Sequence, residues 1–189
     1  MKYHKNITEI IFHARGGQGA KTAAEIIAQA AVAEGKFVQT FPNFGPERSG
    51  APTKTYLRIS QTKIRTKEPI IDPDIVIVLD ETLLDSQIVT EGLDKNEVLI
   101  INSKRAQYEI KEKIRFSGKI YCVDANDISM SVIGQLRPNT VTLGKIIQVS
   151  EVVSLDSVIN EFRRIFEEKI GKDSCEKNIL AIEKAYSSI

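Results

Sequence analysis

Apolar runs and amphipathic stretches alternate along the chain, which is the pattern typical of an α/β protein. Residues 7–13 are mostly β-branched or apolar and predict a first strand. From Ala20 to Glu34 the apolar residues recur at three- and four-residue spacing, which predicts a helix that ends at Gly35. Residues 36–41 predict a second strand. Together these elements predict a βαβ unit and therefore a parallel sheet.

The central part of the chain predicts further strands. The unbroken apolar run at 73–80 is typical of a strand that is buried on both faces, and the runs at 98–101 and 119–123 predict two more. Residues 53–60 and 63–67 alternate polar and apolar positions. We therefore expect these two segments to pair as a hairpin.

Helical patterns separate the later strands and dominate the C-terminal end. Weak patterns occur at about 81–90, 103–113 and 125–134, and stronger ones predict helices at 139–149, 155–170 and 173–187. The expected fold is a three-layer α/β/α architecture, Rossmann-like, with a mainly parallel sheet and a helical C-terminal end. No repeat or linker divides the chain, so residues 1–189 are expected to form a single domain.

Composition and charge exclude several classes of function. Hydrophobic residues make up 42% of the chain, and 26 Lys and Arg residues nearly balance 25 Asp and Glu residues. A net charge of +1 provides no overall attraction to nucleic acid or to an anionic membrane. No apolar run approaches the ~20 residues that span a bilayer, and no signal peptide is recognisable. We therefore expect a cytoplasmic protein that binds neither nucleic acid nor membranes.

Cysteine and histidine are too few for most self-contained redox or hydrolytic centres. A [4Fe–4S] cluster needs about four thiolates, whereas the chain has only Cys122 and Cys175. Its two histidines, His4 and His13, do not occur in a zinc-binding pattern. We therefore predict no metal ligand and no catalytic residue in this chain.

The strongest candidate site is the glycine-rich turn that follows the first predicted strand. At a strand-to-helix junction, bare N–H groups and the helix dipole can bind a phosphate, while the first helical turn can add a cation and a hydroxyl. The candidate contacts are Gly16, Gly17, Gln18, Gly19, Lys21 and Thr22. Their spacing matches neither a Walker A loop nor the GxGxxG fingerprint. The alternative, a tight turn that only packs the helix on the sheet, stays open.

The second candidate is the segment from Phe41 to Pro52, whose prolines exclude a helix. Such a length is unusual for an idle connection, and long loops are often functional. Arg48 can pair with a carboxylate or phosphate, and Glu47 with a cation. The expected interface residues are Phe44, Pro46, Glu47, Arg48 and Pro52. A surface loop with solvated charges is the alternative.

Asp80 and His13 are weaker candidates. Asp80 follows the apolar run at 73–80, where a carboxylate can serve a site, although such residues are more often helix caps. His13 lies at the end of the first predicted strand. A lone histidine is usually a packed structural residue, so we do not interpret His13 as catalytic.

Four segments resemble the gamma subunits of 2-oxoacid:ferredoxin oxidoreductases. They are the Arg-Gly-Gly-Gln-Gly turn at 15–19, the Phe-Gly-Pro-Glu-Arg loop within 41–52, the run at 73–80 and the segment at 139–144. The likeness extends in order over nearly the whole chain. It is strongest to the pyruvate:ferredoxin oxidoreductases, also called pyruvate synthases.

The resemblance implies a role in a larger enzyme. Such complexes decarboxylate a 2-oxoacid on thiamine diphosphate with Mg²⁺, pass electrons through [4Fe–4S] clusters to ferredoxin and transfer the acyl group to coenzyme A. The gamma chain would be inactive alone, and the alpha, beta and delta subunits would be its partners and hold the cofactors. Residues 16–19, with Lys21 or Arg48, would contact coenzyme A phosphates, and the 41–52 loop would dock on partner subunits. The alternative is a free-standing nucleotide- or phosphate-binding module.

Overall fold

A mixed β-sheet forms the centre of the molecule in the computed structural model, which describes residues 6–43 and 50–188. Its strands in chain order are β1 (Ile7–Arg15), β2 (Phe37–Asn43), β3 (Pro52–Ser60), β4 (Ile75–Val78), β5 (Val98–Asn102) and β6 (Lys119–Val123). They lie side by side in the order β2-β3-β1-β4-β5-β6. Strands β1, β4, β5 and β6 pair in parallel, whereas β3 runs antiparallel to both of its neighbours.

Helices cover both faces of this sheet. They are α1 (Ala20–Ala33), α2 (Gln107–Ile114), α3 (Ala125–Val132), α4 (Pro138–Ser150), α5 (Leu155–Ile170) and α6 (Lys172–Ser187), with a 3₁₀ helix at Glu81–Asp85. Helices α1, α4 and α5 share one core with the sheet, and the 3₁₀ helix and α2 contribute to the core on the opposite face. The predicted three-layer α/β fold with a mainly parallel sheet and a helical C-terminal end is therefore confirmed.

The composition of α1 explains its close approach to the sheet. Its inward face carries Ala23, Ala24, Ala30 and Ala31, all fully buried, with Ile27 between them. Small side chains at helical spacing allow the helix backbone to lie close to the strands. As a result, the N-terminal end of α1 is fixed directly beside the C-terminal end of β1.

The pairing of β3 differs from the predicted hairpin. Helix α1 does connect two parallel strands, but β3 lies between β1 and β2, so those two are not neighbours. Residues 63–67 form no strand, and β3 pairs with β2 instead of with that segment. The segment at 63–67 carries three cations and only two uncharged residues, so pairing there would bury little apolar area.

The weaker helical patterns also need correction. The pattern at 81–90 yields only the short 3₁₀ helix, and α2 begins at Gln107 rather than near residue 103.

The predicted ends of α5 are confirmed. The Ser154 hydroxyl caps the helix by accepting a hydrogen bond from the Ser157 N–H, and Gly171 ends the helix. None of the helices in the described ranges combines the length and the apolar character that crossing a membrane requires.

Candidate functional site

A large cleft opens at the C-terminal edge of the sheet, beside the ends of β1 and β4. After β1 the chain continues to the β2 side of the sheet, and after β4 it continues to the β5 side. The two connections therefore diverge, and in open α/β sheets ligands bind in the crevice at that point. The cleft has a volume of about 1350 Å³. Its walls come from the glycine-rich turn, from the segments after β4 and β5, and from α3 to α6.

The glycine-rich turn forms one end of this cleft. The Gln18 N–H donates to the Arg15 carbonyl (3.0 Å), and the Gln18 side chain accepts from the Arg15 N–H (2.7 Å). Gly17 and Gly19 have φ values of 93° and 76°, in the left-handed region that favours glycine. Within the described ranges no side chain caps the N-terminus of α1. The first N–H groups of α1 therefore have no side-chain acceptor among the described residues, and N–H groups in this position can bind an anion.

The structure separates the predicted phosphate contacts into two groups. Gly17, Gln18, Gly19 and Thr22 line the cleft. The Gly16 N–H is already bonded to the Ala51 carbonyl (2.8 Å), and the residue lies outside the cleft wall.

Lys21 also lies away from the cleft wall. Its side chain is 60% exposed, and its Nζ lies 3.5 Å from the Glu25 carboxylate one helical turn further on. The Lys21 ammonium, which was the predicted cationic contact, therefore lies beside Glu25 on the surface of α1.

The N-terminal end of α4 packs against the same turn. A Cβ atom on Gly19 would lie 2.5 Å from Nδ2 of Asn139, in the first turn of α4. Gly19 thus supplies both the left-handed conformation and the room for this contact. The positive ends of two helix dipoles consequently adjoin at one end of the cleft.

Asp80 is central to the polar network beside the turn, more so than its sequence context indicates. Its carboxylate accepts from the Gln18 side-chain amide (2.6 Å) and from the Thr82 N–H (2.9 Å), and Arg15 Nε lies 3.4 Å away. Burial raises the pKa of Asp80, but the hydrogen bonds from Thr82 and Gln18 and the Arg15 charge outweigh it and hold the pKa below its ordinary value. Asp80 is therefore ionised at neutral pH and holds Gln18 in position.

We expect Asp80→Asn to lower the free energy of unfolding by about 2 kcal/mol at pH 7, since hydrogen bonds to a charged group are lost. Because the pKa of Asp80 is lower in the folded chain than in the unfolded chain, its contribution is full well above pH 3.8. The contribution is lost as the pH falls through the folded-state pKa. Urea unfolding of wild type and variant between pH 7 and pH 3 measures this difference, with the exposed Asp173→Asn as control. A pH-independent difference would contradict the assignment.

Asn102 is a structural residue of the cleft that the sequence analysis missed. It is buried at the end of β5, where its amide donates to the Leu79 carbonyl (3.0 Å) and accepts from the Ala125 N–H (3.0 Å). It therefore joins the ends of β4 and β5 to the start of α3. In the sequence, the signal for such a linking residue is an asparagine directly after the apolar run at 98–101.

The far wall of the cleft is apolar. Met130 and Leu136 are exposed there, beside Phe166 and Ile170 of α5. Among the described residues, the charged side chains that line the cleft are the cations Lys104, Arg137 and Lys177 and the carboxylates Asp80, Glu81, Asp124 and Asp127. The glycine-rich turn at one end can bind phosphate groups, and the apolar wall suits an extended, less polar part of the same ligand.

The predicted interface residues Phe44, Pro46, Glu47 and Arg48 lie outside the described residues. Pro52 is described, and it is the exposed first residue of β3. Gly50, two residues earlier, is held by its carbonyl to Arg15 Nη1 (3.1 Å). The C-terminal end of this segment is therefore attached to the polar network around Asp80.

The cysteines of this chain do not fit an iron–sulfur cluster. Cys122 lies on β6 and Cys175 is buried on α6, both as free thiols. Burial raises the pKa of the Cys122 thiol to about 11, which disfavours the thiolate that a metal needs. With two thiols on separate elements, the chain cannot supply the four ligands of a cluster.

Comparison with known proteins shows close relatives over the full length. Residues 9–188 match the family model described as pyruvate ferredoxin/flavodoxin oxidoreductase. The chain is 43% identical over 180 residues to the pyruvate/ketoisovalerate oxidoreductases common subunit gamma of Thermococcus kodakarensis, which covers 95% of both chains. It is 38% identical to the pyruvate synthase subunit PorC of Thermotoga maritima, over 100% of this chain and 98% of that one.

Solved structures agree with these sequence relationships. The crystal structure of the pyruvate oxidoreductase subunit PORC of Thermotoga maritima matches with a TM-score of 0.88 and 36% identity over 97% of both chains. The 2-oxoglutarate:ferredoxin oxidoreductase of Magnetococcus marinus matches with a TM-score of 0.80, over 96% of this chain and 31% of that one; at 19% identity this likeness concerns the fold alone. By its sequence and its structure, the chain belongs to the pyruvate ferredoxin/flavodoxin oxidoreductase family.

Proposed function

We propose that this chain is the gamma subunit of a cytoplasmic pyruvate:ferredoxin oxidoreductase, and that residues 1–189 act in it as one domain. The complex converts pyruvate and coenzyme A to acetyl-CoA and CO₂ and passes the electrons to ferredoxin. The observation that carries this proposal is the likeness to gamma and PorC subunits along the whole chain. Thiamine diphosphate, Mg²⁺ and the [4Fe–4S] clusters are assigned to the alpha, beta and delta subunits.

Within that complex we assign the cleft to coenzyme A. The open N–H groups at the start of α1, next to the start of α4, suit the phosphates, and Thr22 adds a hydroxyl. Lys177 and Arg137 add positive charge to the cleft lining, and the apolar wall suits the less polar pantetheine arm. This chain contributes binding and positioning, while the oxidation and reduction take place on its partners.

Purification from the native host tests the subunit assignment. We expect the chain to co-purify with partners that contain thiamine diphosphate and ferredoxin-type cysteine motifs. Cell fractionation of the same material tests the cytoplasmic location. The isolated chain should not reduce a dye acceptor with pyruvate. Pyruvate oxidation by the chain alone, or its purification without such partners, would overturn the proposal.

Loss of the cleft hydroxyl and cation should weaken coenzyme A binding. In the reconstituted complex, we expect Thr22→Val combined with Lys177→Gln to raise the KM for coenzyme A about tenfold, since two polar contacts to phosphate are worth about 1.4 kcal/mol or more. The KM for pyruvate should stay unchanged. Lys21→Gln is the matched control, because Lys21 is an exposed lysine of α1, next to Thr22, and does not line the cleft. An unchanged KM for coenzyme A in the double variant would refute the cleft assignment without affecting the subunit assignment.

A further inference from the structure

A second, smaller cavity lies beside the start of β3, on the sheet face opposite α1. It has a volume of about 170 Å³, and no described residue lines both this cavity and the large cleft. The polar residues that line it are His13, Asn43, Thr53, Lys54 and Gln87. His13 follows Ile11 by two positions on β1 and therefore faces the same core as Ile11, away from α1.

His13 is a buried residue in the wall of this cavity. Its side chain is 3% exposed, and no described residue donates to or accepts from its imidazole. Burial, together with the charge of Lys54, lowers the pKa of His13 to about 4. The imidazole is therefore neutral at pH 7 and offers one N–H donor and one acceptor nitrogen. A ligand in the cavity can pair with this donor, because His13 lines the cavity wall.

Lys54 places a cation beside this imidazole. His13 and Lys54 are directly opposed in the antiparallel β1–β3 pair, so their side chains leave the sheet on the same face, about 5 Å apart at Cβ. The carboxylate of Glu91 lies 3.8 Å from Lys54 Nζ, but Glu91 is 72% exposed and holds the ammonium only loosely.

The remaining polar side chains of the cavity carry no charge. Asn43 donates to the Tyr56 hydroxyl (3.3 Å), Gln87 to the Ser86 carbonyl (2.9 Å) and Thr53 to the Ala14 carbonyl (3.3 Å). Among the described residues around the cavity, Lys54 and Glu91 are thus the charged groups that face His13. The cavity presents a cation and an N–H donor side by side, which matches the two oxygens of a carboxylate.

We propose that this cavity is a carboxylate-binding site in which the Lys54 ammonium and the His13 N–H each hold one oxygen. Its volume is similar to that of engineered cavities of ~150 Å³ that accept benzene, so it has room for a small carboxylic acid or the end of an acidic side chain. The carboxylate belongs either to a free small molecule or to another subunit of the complex. The second source rests on the proposed function, whereas the first does not.

Histidine NMR on the full chain tests the first source. The chain has only two histidines, so a His4→Gln variant identifies the His13 signal. We expect acetate or pyruvate to shift that signal saturably and to raise the pKa of His13 by about one unit or more, because a bound carboxylate favours the imidazolium. A rise of one unit means that the protonated form binds about tenfold more tightly. Lys54→Gln should abolish the shift, and Lys104→Gln, a lysine of the large cleft, should retain it.

Assembly with the co-purified partner subunits tests the second source. If neither acetate nor pyruvate binds, we expect Lys54→Gln to raise the dissociation constant for those partners about tenfold relative to Lys104→Gln. The proposal is overturned if Lys54→Gln changes neither the NMR response nor assembly, or if inorganic phosphate shifts the His13 signal while carboxylates do not. Those results would leave the subunit assignment intact, since co-purification from the native host tests it separately.

Discussion

Replacing Glu9 by alanine is expected to lower the free energy of unfolding by about 3 kcal/mol or more, because it removes the carboxylate that neutralises a buried arginine. The Arg58 side chain is 2% exposed, and its Nε donates to Glu9 (2.8 Å). Its other nitrogens donate to the Gln39 side chain (2.9 Å) and the Glu68 carbonyl (2.8 Å). These neutral acceptors cannot replace the lost charge. Urea unfolding monitored by circular dichroism measures the change.

Two controls separate charge burial from simple loss of a side chain. The exposed pair Arg163–Glu176 has a similar N–O distance, 3.0 Å, so Glu176→Ala should cost much less than Glu9→Ala. The double variant Glu9→Leu with Arg58→Met should be more stable than Glu9→Ala, because no unpaired charge stays buried. Equal losses of unfolding free energy for Glu9→Ala and Glu176→Ala would show that the buried Arg58 ion pair stabilises the fold no more than an exposed pair does.

Gly144→Ala is the second substitution with a large expected effect. A Cβ atom at this position would collide with the Ile182 carbonyl of α6 and lie 2.7 Å from the Tyr186 N–H nitrogen. Both are backbone atoms, so no rotamer change relieves the contact and the two helices must separate. We expect a loss of about 3 kcal/mol in unfolding free energy, despite the higher helix propensity of alanine. Thermal and urea unfolding measure it.

The matched control for this substitution is Gly35→Ala. Gly35 has a positive φ of 79°, which the helical Gly144 does not have, and nothing lies within 4 Å of a Cβ atom there. The control should therefore cost only the backbone strain, about 1 kcal/mol. A loss at Gly144 no larger than that at Gly35 would show that α4 and α6 can move apart freely. Because Asn139 of α4 packs on Gly19, such a movement would also reach the cleft.

Local patterns predicted the elements well, whereas the position of β3 required information that no local pattern contains. The alternation at 53–60 is the same whether this strand pairs with the segment after it or with β2 before it. The decisive difference is the poor apolar content of 63–67. The parallel strands, by contrast, were evident from the apolar runs near 75, 98 and 119.

The candidate site was only partly accessible from the sequence. The turn at 16–19 was recognisable from its glycines, and the pairing of Lys21 with Glu25 follows from four-residue spacing. The contact between Gly19 and Asn139 joins residues 120 positions apart, so it was not accessible. A lone histidine is usually a packed structural residue, which is the prediction for His13. Its position opposite Lys54 depends on the register of β3, which no local pattern contains.

The backbone ladder between the turn and the start of β3 has a thermodynamic consequence. Gly16 accepts from the Gly50 N–H (3.2 Å) and donates to the Ala51 carbonyl (2.8 Å), while Arg15 also holds Gly50. The turn at 15–16 therefore cannot move without disturbing residues 50–51, and the reverse also holds. Suppose that a ligand in the cleft raises the affinity of a partner protein for residues 50–52 by some factor. Binding of that partner must then raise the affinity of the cleft for its ligand by the same factor. The coupling free energy between the two sites is therefore a single quantity, which can be measured by varying either ligand.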